Sequence, residues 1–417
     1  MKKIKFSKSS KIRAALDIGS SKIVCAVGKK DQEGGFFLLG YESRITKSIK
    51  KGIVVDPVKV GEEINYVINE VSKKTQTEIS NVVINANVTN SKSNFLKGKL
   101  NLDGEKIDEF HIKSAINNSN LYKSDKDFES LHELITDFDV DDQKKIIDPK
   151  GLFANQLSAN IYQVQIRKNY LKSLEDILLK LNLNIEEIVA SPFASSLSTL
   201  IDDEKELGTI CIDLGFGVTS VCLIESNKLI FTDSVPVGAN NITYDLASGL
   251  STSIESAERL KTLYGSVFSN PSDEHELIDI STIGNTDKQF NQTNISTVNS
   301  YIKPRVEETL ELVRQKLKEY NLNPKQYRRV VLTGGGALLE GIGEYAKIIF
   351  DSQARVAYPI FKGLDEGIKK PQFSTVIGLL LYSEDFGAIK DFSSQKSQKN
   401  QEKGIFSKFS SWLDNYI

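Results

Sequence analysis

Cysteine, histidine and tryptophan are scarce in this chain: three, three and one residue among 417. Three cysteines (Cys25, Cys211, Cys222) without a Cys-x-x-Cys pair exclude a disulfide framework and a thiolate zinc site. Three histidines, none paired at metal-ligand spacing, leave His-based catalysis without support. No run of about 20 apolar residues occurs, so no segment is expected to span a bilayer. The basic start, residues 1–11, leads into a strand and not into the apolar core of a signal peptide. An excess of one charge is also missing. Fifty-three Lys and Arg oppose 55 Asp and Glu, and a net charge of −2 is not the basic field of a nucleic-acid binder. These absences lead us to expect a cytoplasmic protein with no nucleic-acid partner. What remains is a globular mixture, 40% hydrophobic and 26% charged, long enough for several separate cores.

Internal repetition is the first positive sign. Residues 14–27 read as an apolar strand, a short polar turn and a second apolar strand, and residues 209–224 repeat the plan. An Asp ends the first strand of each copy (Asp17, Asp213), and a Gly follows at Asp-x-Gly spacing (Gly19, Gly215). Hydroxyl residues complete each turn: Ser20 and Ser21 in one, Thr219 in the other, which also contains Gly217. Such turns let backbone N–H groups approach an anion closely and form a phosphate cradle. Asp17 and Asp213 would repel phosphates unless a divalent cation lay between them, and Mg²⁺ suits because it keeps most of its waters. The plainer reading of either turn alone is an ordinary β-hairpin with turn-type Asp and Gly. Recurrence at matching positions favours two related domains facing each other across a cleft. A third cluster, Gly334, Gly335 and Gly336, follows a buried-type strand at 329–333 and precedes helical spacing over 338–349. Three consecutive glycines exceed what a tight βα turn needs and let a nucleotide touch backbone.

Together these motifs resemble the actin-like ATPase superfamily, with its two phosphate loops and its adenosine loop; residues 213–219 take the D-x-G-x-G-x-T form. Residues 190–195 sit where that superfamily has its first interdomain helix, with small residues suited to close crossing and hinge motion. Residues 255–261 resemble the segment whose Glu and Lys, here Glu258 and Lys261, reach the ribose and base; a surface ion pair is the bland alternative. Residues 235–247, residues 302–308 and the extreme C-terminus narrow the resemblance to the FtsA family of cell-division proteins.

That resemblance implies an α/β, actin-like ATPase fold: two duplicated domains around a nucleotide cleft, inserted small subdomains and a C-terminal amphipathic helix. The implied divisions are a first phosphate domain (1–84 and 161–203), an inserted subdomain for filament contacts (85–160) and a second phosphate domain (204–242 and 328–383). A partner-peptide subdomain (243–327), a linker (384–403) and a membrane-targeting helix (404–417) complete the scheme. ATP and Mg²⁺ would be held by Asp17, Gly19, Ser20, Ser21, Lys22, Asp213, Gly215, Gly217, Thr219, Gly238, Glu258, Lys261, Gly334, Gly335 and Gly336, with Asp17 and Asp213 serving the metal. The implied partners are the C-terminal peptide of FtsZ, further copies in a filament, inner-membrane lipid and later division proteins. The site implied is the cytoplasmic face of the inner membrane where the cell divides. Lys303 and Arg305, read as a helix start, are candidate cations for the peptide's acidic residues. Phe216, Val218 and Ser220 depart from the family's usual Gly, Thr and Asp, Ser20 from its Thr and Ala239 from its Gly. No residue stands out to position an attacking water, so ATP binding is expected with weak or no hydrolysis. The rival readings are an actin-fold kinase or phosphohydrolase acting on a small molecule, and a pilus-assembly scaffold of the PilM type.

The tail carries its own signal. Residues 384–403 are rich in Ser, Gln, Lys and Asp without apolar periodicity, which is linker composition. Beyond them Ile405, Phe406, Phe409, Trp412, Leu413, Tyr416 and Ile417 recur at three- and four-residue steps on one helical face. The only Trp of the chain lies there, and Trp and Tyr favour the headgroup boundary. An interfacial helix behind a flexible tether is the expectation; a helix docked in a protein groove is its competitor.

Overall fold

The computed structural model describes residues 12–30, 36–87, 89, 91–119, 126–281, 290–327, 329–363 and 366–382. Runs of buried apolar residues build two matching five-stranded sheets. In the first, Ile12–Ile18 pairs antiparallel with Lys22–Lys30, which pairs antiparallel with Phe36–Ile45. On its other side lie two parallel neighbours, Asn81–Ala86 and then Asn184–Ala190. The second sheet repeats this order with Lys228–Val235, Thr219–Glu225, Thr209–Leu214, Arg329–Thr333 and Ala354–Val356. Duplication therefore extends from the hairpins to whole sheets. Asp17 opposes Val24 and Asp213 opposes Ser220, each in the last pair but one before the turn. The central strands are apolar on both faces because both faces are covered. Helix Pro57–Thr75, capped by the Asp56 side chain on the Lys59 amide, covers one of them with Val60, Ile64, Val67, Ile68 and Val71.

Between the second and third parallel strands of the first sheet an antiparallel subdomain is inserted. Its strands run in the order Ser91–Lys106, Phe153–Arg167, Phe128–Val140 and Gln143–Ile146, with helix Glu109–Asn117 beside them. Its last strand pairs on both sides as far as Ile166 and with Phe128 alone at Arg167, so the sheet continues past the expected division at 160. Sheet pairing, which is non-local, sets that limit.

Helices Ala239–Gly249, Ile254–Tyr264 and Ile295–Glu319 form the subdomain on the second domain. Two local expectations change here. Pro304 lies inside the 25-residue helix Ile295–Glu319 and not at a helix start. The helix tolerates it because Pro304 and Ser300, four residues back, are both exposed, which leaves the unbonded carbonyl to water. After the glycine run the chain makes only a short 3₁₀ turn, Gly335–Leu338, and the α-helix begins at Ile342 behind Gly341 in the left-handed region. Residues 384–417, with the expected linker and amphipathic helix, lie outside the described residues. Among those described, no helix is long and apolar enough to cross a membrane.

Two crossing helices join the domains, Ser191–Thr199 and Ser374–Leu381. They touch backbone to backbone: a Cβ added at Gly378 would overlap the Ala194 carbonyl. Gly378→Ala is therefore expected to force the helices apart and cost about 3 kcal/mol or more, comparable to severe overpacking. A thermal melt checks this, and an unchanged Tm would show that the crossing can relax.

Candidate nucleotide site

The turns of the two hairpins face each other across a cavity of about 570 Å³. Asp17, Gly19, Ser20, Ser21 and Lys22 line it from the first domain, and Asp213, Gly215, Phe216 and Gly217 from the second. The loops nearly meet: a Cβ at Gly217 would sit 3.1 Å from Ser20 Oγ. Ser20 Oγ is held in turn by the Gly52 amide at 2.9 Å.

Each carboxylate is fixed by neighbours from remote segments. Asn85 Nδ2 donates to Asp17 Oδ1 at 2.8 Å and to Ser191 Oγ at 3.2 Å, while Asn85 Oδ1 accepts the Ile18 amide at 2.7 Å. Ser195 Oγ donates to Asp213 Oδ2 at 2.5 Å, and Thr375 Oγ1 lies 3.3 Å from the same oxygen. The other oxygen, Oδ1, abuts Gly334, whose φ of 84° and lack of a Cβ let the chain pass. Burial raises the Asp17 pKa to about 7; the negative Asp213 adds to this and Lys22 opposes it. Asp213 is raised by burial as well, against the Ser195 and Thr375 hydrogen bonds. Burial likewise lowers Lys22 to about 8, with Asp17 opposing and Lys370 assisting. The Lys22 ammonium lies 3.5 Å from the centre of the Phe373 ring.

Two desolvated carboxylates raising each other's cost of ionisation form a site that a shared cation would relieve. No group of three or more His, Cys, Asp or Glu able to hold a metal occurs among the described residues. A hard ion that retains most of its waters, as Mg²⁺ does, fits this sparse donor set.

At the other end of the cavity Glu258 and Lys261 belong to a network. Lys261 Nζ bonds Glu258 Oε2 at 2.7 Å, Thr243 Oγ1 at 2.8 Å and the Ala239 carbonyl at 3.2 Å. Burial lowers the Lys261 pKa against the pull of Glu258. Gly334, Gly335 and Gly336 line the cavity with them, together with Leu338 and Leu339.

Several expected residues lie elsewhere. Thr219 is fully buried, and its hydroxyl has no hydrogen-bond partner among the described residues. It borders, with Gly238, a separate void of about 20 Å³ behind the loop. The Gly238 amide is taken by Asn241 Oδ1 at 3.1 Å, closing the start of helix Ala239–Gly249. Lys303 and Arg305 stand outside the cleft on helix Ile295–Glu319. Conversely, the carboxylate contacts of Asn85, Ser191, Ser195 and Thr375 escaped the sequence reading, which took 190–195 only as a segment of small residues for a close helix crossing. Each is an ordinary polar residue at a strand or helix position, and Thr375 reaches Asp213 from 162 positions away.

Comparison with known proteins agrees with this architecture. Residues 210–378 match the family model "Cell division protein FtsA", and residues 89–165 match "SHS2 domain inserted in FTSA". The chain is 32% identical over 415 residues to cell division protein FtsA of Agrobacterium fabrum, covering 97% of this chain and 92% of that protein. It is 24% identical over 411 residues to cell division protein FtsA of Escherichia coli K12, covering 97% and 96%. Among solved structures it resembles the PilM–PilN type IV pilus biogenesis complex, with TM-score 0.59 and 16% identity over 88% of this chain and 97% of that one. An MreB of Spiroplasma citri bound to ADP gives TM-score 0.54 and 12% identity over 90% and 97%. At such identities the likeness to these structures is one of fold. The architecture is that of the actin-like ATPases, with an inserted SHS2 subdomain.

Proposed function

The chain belongs to the FtsA family of cell-division proteins, and from that premise we propose that it is a nucleotide-gated membrane tether for FtsZ. On this reading it binds Mg²⁺–ATP between its domains, assembles with copies of itself and holds FtsZ at the inner face of the membrane. The observation that carries the nucleotide part is the pair of aspartates brought by duplicated hairpins to one cavity.

Mg²⁺, when bound, supplies the positive charge that offsets both carboxylates and the phosphates. The backbone at Gly19, Ser20 and Ser21 and at Gly215 and Gly217 orients the phosphates, and Lys22 adds a cation from the first loop. Gly334, Gly335 and Gly336 let sugar or phosphate approach the second domain, while Glu258 and Lys261 offer an acceptor and a donor to the ribose and base. Asn85 and Ser191 already spend their hydrogen bonds inside the protein, Ser191 Oγ on the Ala86 carbonyl at 3.0 Å. That engagement supports a binder that changes state with nucleotide over a fast hydrolase.

For the partner peptide the two candidate cations differ. Arg305 is clamped by Asp245, Nε to Oδ2 at 2.5 Å and Nη2 to Oδ1 at 2.9 Å, and also pairs with Glu308. Lys303 is exposed, its ammonium 5.9 Å from the centre of the Tyr345 ring. Lys303→Glu is expected to weaken an acidic FtsZ tail peptide by about 1 kcal/mol, an effect that salt erodes. Arg305→Glu sets a third carboxylate against Asp245 and Glu308, so it should lower Tm as well as affinity. Titration of a labelled peptide at low salt checks both, and an unchanged Kd for Lys303→Glu would move the site off this helix.

Co-sedimentation of FtsZ with lipid vesicles tests the whole reading. FtsZ should pellet with vesicles only when this protein is present, and more strongly with ATP. Vesicle recruitment that ignores nucleotide would leave a tether without its gate.

A further inference from the structure

One helix reads both carboxylates of the cleft. Ser191 and Ser195 lie four positions apart on helix Ser191–Thr199 and so share a face. Ser191 is joined to Asp17 through the Asn85 amide, and Ser195 bonds Asp213 directly. The second crossing helix enters the same cluster: Thr375 Oγ1 lies 2.9 Å from Ser195 Oγ and 3.3 Å from Asp213 Oδ2. A hydroxyl carries a single proton, so when Ser195 donates to Asp213 the Thr375 proton must point to Ser195 or to the same carboxylate oxygen. Ser195 is fully buried, whereas its partners Asp213 and Thr375 line the cavity.

The far end of helix Ser191–Thr199 is anchored on the second domain, whereas helix Ser374–Leu381 starts there, with Ser374 Oγ 2.7 Å from Thr333 Oγ1, and ends on Arg13 of the first domain through the Leu380 and Tyr382 carbonyls. Arg355 Nη2 donates to the Thr199 carbonyl at 3.0 Å, and the buried Glu204 just beyond bonds both Arg355 and Arg329. The near end is held in the first domain by the Ser191–Ala86 bond. Because the helices touch backbone to backbone at Ala194 and Gly378, they can pivot but cannot slide past one another. A change in the separation of Asp17 and Asp213 must therefore appear as a change in angle at this crossing.

We propose that Ser195, with Thr375 as its partner, is a positioning residue that converts cation–nucleotide occupancy of the cleft into rotation of one domain against the other. The inference rests on the nucleotide reading of the cleft and adds the device by which occupancy reaches the rest of the fold. Ser195 and Thr375 hold Asp213 from both helices, so drawing Asp213 towards a shared cation pulls on the crossing itself. Without the hydroxyls the carboxylate still binds, but it moves alone.

The experiment measures nucleotide affinity and domain angle separately in the full-length protein. A pair of distance probes, one on the exposed face of each phosphate domain, reports the angle at saturating Mg²⁺–ATP. Ser195→Ala and Thr375→Val should lose no more than about tenfold in affinity, as for one charge-assisted hydrogen bond. Their nucleotide-dependent distance change should fall by about half or more, because the coupling has been removed. Thr375→Ser keeps the hydroxyl and should close like the parent, which a merely steric role for Thr375 would not predict. If Ser195→Ala fails to fold, the Val and Ser variants at 375 carry the comparison. Parent-like closure in Ser195→Ala or Thr375→Val overturns the inference while leaving the nucleotide site standing. A parent protein that binds Mg²⁺–ATP without any change in distance overturns it equally. A parent that binds no nucleotide removes the premise and the inference together.

Discussion

Asp213→Asn and Asp17→Asn are each expected to lower Mg²⁺–ATP affinity by about 100-fold or more, because each removes half of the charge available to the cation. Titration calorimetry with and without Mg²⁺ reads the loss, and retention of Mg²⁺-dependent affinity in both variants would dismiss the cleft as a metal–nucleotide site. The same substitutions should act oppositely on the empty protein. The Asp17 carboxyl is raised by folding from an ordinary 3.8 to about 7, so between those limits the folded state holds a proton that the unfolded chain has released. Its contribution to stability is complete below about pH 4 and is lost as pH rises through about 7. Asp17→Asn cannot ionise. Without nucleotide it should melt above the parent at about pH 8, by on the order of 2 kcal/mol, with the difference shrinking as pH falls and gone below about pH 4. Cation binding favours the ionised carboxylate, so parent affinity for Mg²⁺–ATP should decline as pH falls below about 7. Instability of the empty cleft and strength of the filled one thus share a cause: two carboxylates held in poor solvent without their counter-ion.

Removing residues 404–417 is expected to abolish flotation with vesicles while leaving Tm and nucleotide affinity unchanged. The described core closes without that segment. Leu379 and Leu380 of helix Ser374–Leu381 are fully buried, and Tyr382 packs on His132 and Phe193 while its carbonyl accepts from Arg13. The tail's apolar face is Ile405, Phe406, Phe409, Trp412, Leu413, Tyr416 and Ile417. Full burial of a large apolar side chain is worth about 1.5–3 kcal/mol, but interfacial burial is partial and the helix must also be ordered. One tail should then bind reversibly, and several on one filament by avidity. Trp412→Glu places a charge on that face and should reduce the vesicle-bound fraction by about tenfold or more. Salt should change little, since Lys403 and Lys408 offer a small basic contribution beside Asp414. A truncated protein that still floats would have another membrane surface; one that melts early would have lost part of its core.

The hairpins were legible in the sequence because everything that makes them is local. Alternation within a few residues sets the strands, and an Asp-x-Gly turn needs only its own backbone freedom. The helix containing Glu258 and Lys261 and the helix beginning near Ser191 were expected from the resemblance to the actin-like ATPases, and the structure has both. Helix limits that depend on packing were not readable. Pro304 looked like a start, yet an exposed surface let the helix run through it, and the turn after Gly336 needed the second domain to show that the helix waits until Ile342. The inserted sheet runs past position 160 because two partner strands, themselves far apart in the chain, bond its last strand as far as Ile166, and one of them continues to Arg167. Electrostatic roles were the least visible. Arg305 looked free for a partner, but Asp245, 60 positions earlier, holds it. Asn85, Ser195 and Thr375 are unremarkable residues until folding sets them against Asp17 and Asp213. Two acid-tipped hairpins and a glycine run follow from the order of residues alone, because backbone preference is written residue by residue. Which hydroxyls and amides hold those acids is set by folding, because desolvation and hydrogen bonding act between segments that the chain keeps apart.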